Sequence, residues 1–213
     1  MLTFWLIIIA IIGYMFGSVN GAIIVSNLLF RQDVRDYGSH NAGLTNFHRT
    51  YGTTGMAIVL GIDMFKGAIP VLLAKFIMGF YDASNVGAVF AILCVVLGHM
   101  YPVFHQMRGG KGILTAWGSM LFFDWRLFLI VITIFIVAVA LTRYVSLGSV
   151  LAAGFFPIGV VLARHGSLCF IIGLVTASFV IFKHRGNIVR LLNHTESKLE
   201  FKKDISDKFD ETF

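Results

Sequence analysis

Seven apolar runs follow one another along this chain, at residues 2–29, 54–79, 84–101, 113–123, 127–142, 145–163 and 167–182. A helix needs roughly 20 apolar residues to span a bilayer, and several of the runs approach or exceed that length. Lipid cannot satisfy backbone N–H and C=O groups, so the runs are read as helices that bond internally. The expected fold is therefore all-α, a polytopic integral membrane protein of about seven transmembrane helices. One of them, 113–123, is too short to cross alone. Composition agrees, since 57% of the 213 residues are hydrophobic and 13% charged, where a soluble domain carries about 25% charged residues.

A single integral membrane domain is expected over residues 1–213, with 197–213 a charged cytoplasmic tail. Leu199, Phe201, Ile205 and Phe209 give that tail an amphipathic character suited to interfacial docking. The first run has no Lys or Arg ahead of it, so it lacks the charged start of a cleaved signal peptide and is read as a retained helix. Thirteen of the 17 Lys and Arg fall on one side of the runs, only Lys75, Arg126 and Arg164 on the other, and Lys66 lies within a run. Positive loops stay inside, which predicts an N-terminus out and a C-terminus in. The net charge of +6 then reflects topology and anionic ligands, and no nucleic acid is expected.

Three polar, cationic islands interrupt the runs. The second, residues 98–112, is a glycine-rich bend carrying Arg108 and Lys111. Its bare amides at Gly109, Gly110 and Gly112 suit an anion such as phosphate. The segment is not a Walker loop, because His105 stands where a glycine is needed and Gly112 where Ser or Thr is needed. The first island, 38–52, offers the hydroxyls of Ser39 and Thr45, the amides of Asn41 and Asn46, and Arg49, whose guanidinium can clamp a phosphate through paired N–H bonds. No G-x-S-x-G elbow surrounds Ser39, which argues against a nucleophile. In the third island, 183–198, His184 and Asn187 share one helical face, while Glu196 is expected to pair with a nearby Arg or Lys.

Other polar groups read as structural. Asp63 and Lys66 are spaced to pair inside a run, and His99 is a buried hydrogen-bonding histidine or a site residue. Cys94 and Cys169 lie inside apolar runs, and the seven histidines show no metal-ligand spacing. No metal or cofactor is expected. The H-x-x-x-x-D acyltransferase motif is absent. A cationic pocket of this kind also suits a transporter or flippase of a phosphorylated solute or lipid, but that class favours a midplane site, whereas these islands cluster at one surface.

Taken in order, GSHNAGLTNFHRTYG (38–52), GHMYPVFHQMRGGKG (98–112) and HRGNIVRLLNHTE (184–196) resemble the bacterial PlsY family of acyl-phosphate:glycerol-3-phosphate acyltransferases. DMFKGAIPVLLAK (63–75) and TRYVSLGSVLAAG (142–154) extend the likeness over nearly the whole chain. The resemblance implies a multi-pass enzyme of the bacterial cytoplasmic (inner) membrane whose site faces the cytoplasm. Its substrates would be acyl phosphate and glycerol 3-phosphate, its products lysophosphatidic acid and inorganic phosphate, in the first step of phospholipid biosynthesis. It further implies membrane lipids as surroundings and a functional link to an enzyme that makes acyl phosphate.

By matching positions, the resemblance places Ser39, Arg49 and Lys111 at the glycerol 3-phosphate phosphate. Thr45, Gly109, His184 and Asn187 fall at the acyl-phosphate end, joined by Ser146 or Ser149. His184, Asn187 and Lys111 are the expected catalytic groups. The family's first motif usually reads GSGNxGATN, so His40 replaces a glycine and Leu44 an alanine, and His194 stands where the third motif has a glycine.

Overall fold

A computed structural model describes residues 1–199, and these are helical with no strand among them. The chain runs α1 (Leu2–Ser18), α2 (Gly21–Phe30), α3 (Leu44–Tyr51), α4 (Met56–Gly79), α5 (Ser84–Met100), α6 (Ile113–Phe123), α7 (Trp125–Thr142), α8 (Val145–Leu162), α9 (Ser167–Lys183) and α10 (Arg185–Leu192). Five segments are long and apolar enough to cross a membrane: Leu2–Phe30, α4, the α5 region, α7 and α8. α9 joins them if it is taken with α10 across a 60° bend, and α6 is a shorter apolar helix. These are the seven apolar segments that hydropathy predicts. Of the amphipathic tail, Phe201, Ile205 and Phe209 lie outside the described residues.

The first run is not one helix. It breaks at Val19–Asn20, where the Asn20 side chain turns back to accept from Ile23 N and cap α2. A break at membrane depth strands a carbonyl. Lys66 of α4 answers it, donating to Val19 O at 2.6 Å. The same ammonium donates to Asp63 Oδ1 at 2.7 Å and to His99 Nδ1 at 2.8 Å, while Gly21 N donates to Asp63 Oδ1 at 3.0 Å. Asp63 and Lys66 thus pair as their spacing predicts, with both side chains buried.

Within lipid, helices associate through close packing rather than hydrophobic exclusion. α1 and α5 show this, since a Cβ at Gly17 would collide with Val95 O and one at Gly98 with Tyr14 O. The main apolar core links α4 through α9, and a second core packs Phe47 and Tyr51 of α3 against α2 and Val34. α6, with 11 residues, rises only about 16 Å, roughly half of the ~30 Å hydrocarbon layer. Its two ends are tied inside protein: Gly112 packs on Val96 and Met100 of α5, and Lys75 donates to the carbonyls of Phe122 and Phe123. The loop between α5 and α6 therefore begins its return inside the bundle, at one end of it.

Candidate active site

The first island is built around Asn46. Its Oδ1 accepts from Ser39 N at 2.8 Å, and its Nδ2 donates to Val34 O at 2.9 Å and Tyr37 O at 3.0 Å. Both ends of the amide are thus engaged within the protein, so Asn46, which also lines the central cavity, acts as a strut that shapes the loop before α3. Asn20 adds a second tie by donating to Ala42 O at 3.2 Å. His40 sits at φ 56° and His194 at φ 56°. Both positions adopt the left-handed backbone that glycine takes without strain, the residue usual there in the family motif. At His40 a local bond helps hold this shape, with Nδ1 2.9 Å from Arg35 O.

The glycine-rich bend departs from the expected amide cradle. Gly109 N donates to Met100 O at 3.3 Å and Gly110 N to His99 O at 3.1 Å, so neither amide is free. These glycines serve close approach instead: a Cβ at Gly109 would strike His99 O, and one at Gly110 would strike His99 Nε2 and Ala42 O. Arg108 is exposed and lines no cavity. The loop is pinned by Arg35, which donates to His105 O at 2.8 Å and to Arg108 O at 3.1 Å. Lys111 alone of the bend's cations turns inward, where Nζ donates to Asn187 Oδ1 at 2.5 Å.

At the third island His184 occupies the elbow between α9 and α10. Its Nδ1 lies 2.8 Å from Val180 O. A carbonyl only accepts, so Nδ1 carries the proton and Nε2 keeps its lone pair. Asn187, one helical turn on, accepts from Lys111 and donates to Glu196 Oε1 at 2.7 Å, while Arg190 Nε donates to Glu196 Oε2 at 2.7 Å. Glu196 therefore pairs with Arg190 as expected. It reaches the site because residues 193–199 fold back: Arg49 donates to Ser197 O at 3.3 Å, and Leu199 N donates to Arg143 O at 2.7 Å.

These parts enclose a central cavity of about 160 Å3, whose walls include Ser39, Asn41, Thr45, Arg49, Asp63, His99, Lys111, Gly112, Ser146, Ser149, His184 and Asn187. All the residues expected at the site meet here except Gly109 and Gly110. An outer mouth of about 720 Å3 shares Ser39, Asn41, Arg49, Lys111, Asn187 and Glu196 with it and adds the cations of Lys183, Arg185 and Arg190. Ile113 and Trp117 are shared with a narrow apolar chamber whose walls include Met120, Ala152, Ala153 and Phe156. Ser149 donates internally to Val145 O at 2.8 Å. Ser146 Oγ is buried without a hydrogen bond of good geometry, although it lies close enough to Glu196 to help hold that carboxyl ionised.

The electrostatics are those of an anion site. Burial pushes the Lys111 ammonium down to about 8; Glu196 opposes that shift, and Arg190, Arg49 and Lys183 add to it. Burial alone would raise the Glu196 carboxyl, yet bonds from Asn187 and Arg190, with the Ser146 hydroxyl nearby, hold it below its ordinary value. Helix starts add a signal that sequence patterning missed. α3, α6 and α8 each begin at this cavity, at Leu44–Thr45, Gly112–Leu114 and Val145–Ser146, and none has a side-chain cap. Their free N–H groups and positive dipole ends converge on one space. Among the described residues no cluster could hold a metal ion.

Comparison with known proteins agrees with this geometry. The glycerol-3-phosphate acyltransferase family model matches residues 7–194. The glycerol-3-phosphate acyltransferase of Thermoanaerobacter pseudethanolicus is 42% identical over 199 residues, covering 93% of this chain and 98% of its own. That of Bacillus subtilis is 34% identical over 194 residues, covering 91% and 97%. The crystal structure of PlsY, an integral membrane glycerol 3-phosphate acyltransferase in its glycerol 3-phosphate form, superposes with a TM-score of 0.83 at 30% identity, covering 92% of this chain and 96% of that one. Its lysophosphatidic acid form gives 0.80 at 29%. The chain is thus an acyltransferase rather than the transporter its cationic islands would also suit. It belongs to the PlsY family of integral membrane glycerol-3-phosphate acyltransferases.

Proposed function

We propose that this enzyme transfers a fatty acyl group from acyl phosphate to the sn-1 hydroxyl of glycerol 3-phosphate, releasing lysophosphatidic acid and inorganic phosphate. One observation carries the reading: a single cavity shares walls with a cationic mouth and, through Ile113 and Trp117, with an apolar chamber. That arrangement fits a reaction that draws one substrate from water and one from lipid. The cationic mouth lies where Lys and Arg concentrate, and positive loops stay inside, which supports a site on the cytoplasmic side of a bacterial inner membrane with the N-terminus out and the C-terminus in.

Acyl phosphate is a mixed anhydride with a good leaving group, so the protein's task is to position two anions and stabilise developing charge. Ser39, Arg49 and Lys111 hold the phosphate of glycerol 3-phosphate at the mouth. Thr45, Asn187 and the free N–H groups at the start of α6, from Gly112 onward, face the donor. Of the two candidate serines, Ser146 is favoured, because Ser149 Oγ already bonds within its helix. The hydroxyl oxygen attacks the acyl carbon, the bond from that carbon to the phosphate oxygen breaks, and the hydroxyl proton passes to a donor phosphate oxygen. His184 is the second candidate base, since its Nε2 lone pair is free. The alkyl chain extends past Trp117 toward the apolar chamber, where side chains must part to admit it.

Purified protein supplied with long-chain acyl phosphate and glycerol 3-phosphate is expected to release phosphate and form lysophosphatidic acid without any CoA thioester. Strict dependence on acyl-CoA would overturn the donor assignment. A pH–rate profile that survives in His184→Ala favours the donor phosphate as base; one that is flattened favours His184.

A further inference from the structure

His99 is a buried polar group of the cavity that the reaction as written does not use. It is the penultimate residue of α5, only 3% exposed, and Lys66 holds one side of its ring through the 2.8 Å contact to Nδ1. Lys66 is ion-paired to Asp63 and also donates to Val19 O. An ammonium has only donors, so Nδ1 must accept, and the ring proton is left on Nε2. That Nε2 makes no hydrogen bond among the described residues. It is not among the enclosed, unpartnered polar atoms, which are those of Tyr51, Thr115, Ser119 and Ser146 among the described residues. The ring lines the central cavity, so Nε2 opens onto it.

We infer that His99 is a catalytic hydrogen-bond donor that presents Nε2–H to the acyl carbonyl oxygen, and that Lys66 is the positioning residue holding it in that tautomer. Position selects the carbonyl. His99 lines the central cavity but not the cationic mouth where phosphate binds, and the apolar chamber begins beyond it at Ile113 and Trp117. The acyl carbonyl joins phosphate to alkyl chain, so it falls between those two spaces. A neutral donor backed by a buried cation suits an oxygen that gains negative charge only as the bond forms. His184 is held in the opposite tautomer by Val180 O. The cavity thus receives one imidazole as donor and one as acceptor. This inference rests on the acyl-transfer reading above.

The test separates the two imidazole nitrogens. His99→Asn keeps an acceptor for Lys66 near the Nδ1 position but removes the cavity donor, whereas His99→Gln can place an amide N–H near the Nε2 position. With acyl phosphate and glycerol 3-phosphate, His99→Asn is expected to lower kcat by about 100-fold with little change in KM. His99→Gln is expected to recover at least about tenfold of that loss, within the range of a single oriented donor. Near-normal kcat in a folded His99→Asn protein would overturn the assignment, as would equal losses in both variants.

Histidine 15N spectra of the wild-type protein, assigned by difference from His99→Gln, are expected to show His99 protonated at Nε2; protonation at Nδ1 would overturn the inference whatever the variants' activities. Replacing the ion pair together, Asp63→Asn with Lys66→Met, is expected to give mixed His99 tautomers, and an unchanged Nε2–H spectrum would remove the role of Lys66. If the wild-type protein shows no acyl-phosphate activity, the parent reading fails, while the tautomer is still read from the spectrum.

Discussion

Lys111 Nζ donates to Asn187 Oδ1 at 2.5 Å across 76 residues of sequence. The bond ties the α5–α6 loop to α10, and Asn187 passes it on to Glu196. The proposed phosphate-binding cation is therefore held by a neutral amide, which aims the ammonium without cancelling its charge. An arriving phosphate offers it a stronger, charge-assisted partner.

Removing either half of the clamp is expected to lower turnover strongly. Lys111→Ala should lower kcat/KM for glycerol 3-phosphate by about 100-fold or more, and Arg49→Ala by about tenfold or more, in line with lost charge-assisted bonds. Melting of Arg49→Ala in detergent should stay close to wild type, because Arg49 is exposed and, among the described residues, bonds only Ser197 O. Phosphate release by both variants near the wild-type rate would end the clamp assignment.

Substrate affinity should fall on the alkaline side of the Lys111 value. Its ammonium loses its proton at about 8 in the free protein, and only the charged form attracts phosphate. KM for glycerol 3-phosphate is expected to be flat from about pH 7, where the substrate phosphate is a dianion, up to that value and to rise above it, by up to about tenfold per pH unit for one required proton. Lys111→Arg keeps its charge at all working pH, so its KM should stay flat through the same range. Parallel profiles for the two proteins would show that another group titrates.

Glu196 should matter for stability. Its side chain is 5% exposed and bonded to both Asn187 and Arg190. Glu196→Ala leaves both donors unpaired, at an expected cost of about 1–3 kcal/mol, read as a lower melting temperature. Because the folded carboxyl lies below its ordinary value, its contribution is present above the unfolded carboxylate value and is lost as pH falls through the lowered folded one. The melting difference between wild type and Glu196→Gln should therefore be larger at pH 7 than near pH 4. A difference independent of pH would contradict the ionised pairing.

Chain-length preference should be set by the small residues of the apolar chamber. Ala152 and Ala153 are buried there beside Phe156 and Met120. Ala153→Phe is expected to shift the ratio of long-chain to short-chain acyl-phosphate turnover by at least about tenfold toward the short chain. Overpacking is expected to destabilise by about 1–3 kcal/mol, so a melting curve accompanies the assay. An unchanged length profile in a folded variant would place the alkyl chain elsewhere.

Hydropathy alone determined the helical membrane fold, because a run of apolar side chains in lipid leaves the backbone no partner but itself. The three motif islands, ordered along the chain, determined the family. What depended on contacts between distant residues was not legible there. The break at Val19–Asn20 is stabilised by Lys66, 47 residues away, and a run of uncharged residues carries no local mark of such a partner. Glycine spacing suggested donating amides, whereas packing against the end of α5 took up those of Gly109 and Gly110. Only the tertiary structure brought three uncapped helix starts to one cavity, left Ser146 Oγ unpaired while Ser149 bonded its own helix, and set the tautomers of His99 and His184. Periodicity and composition are properties of neighbouring residues, whereas the hydrogen-bond partner of a buried polar atom is decided by which helices pack around it.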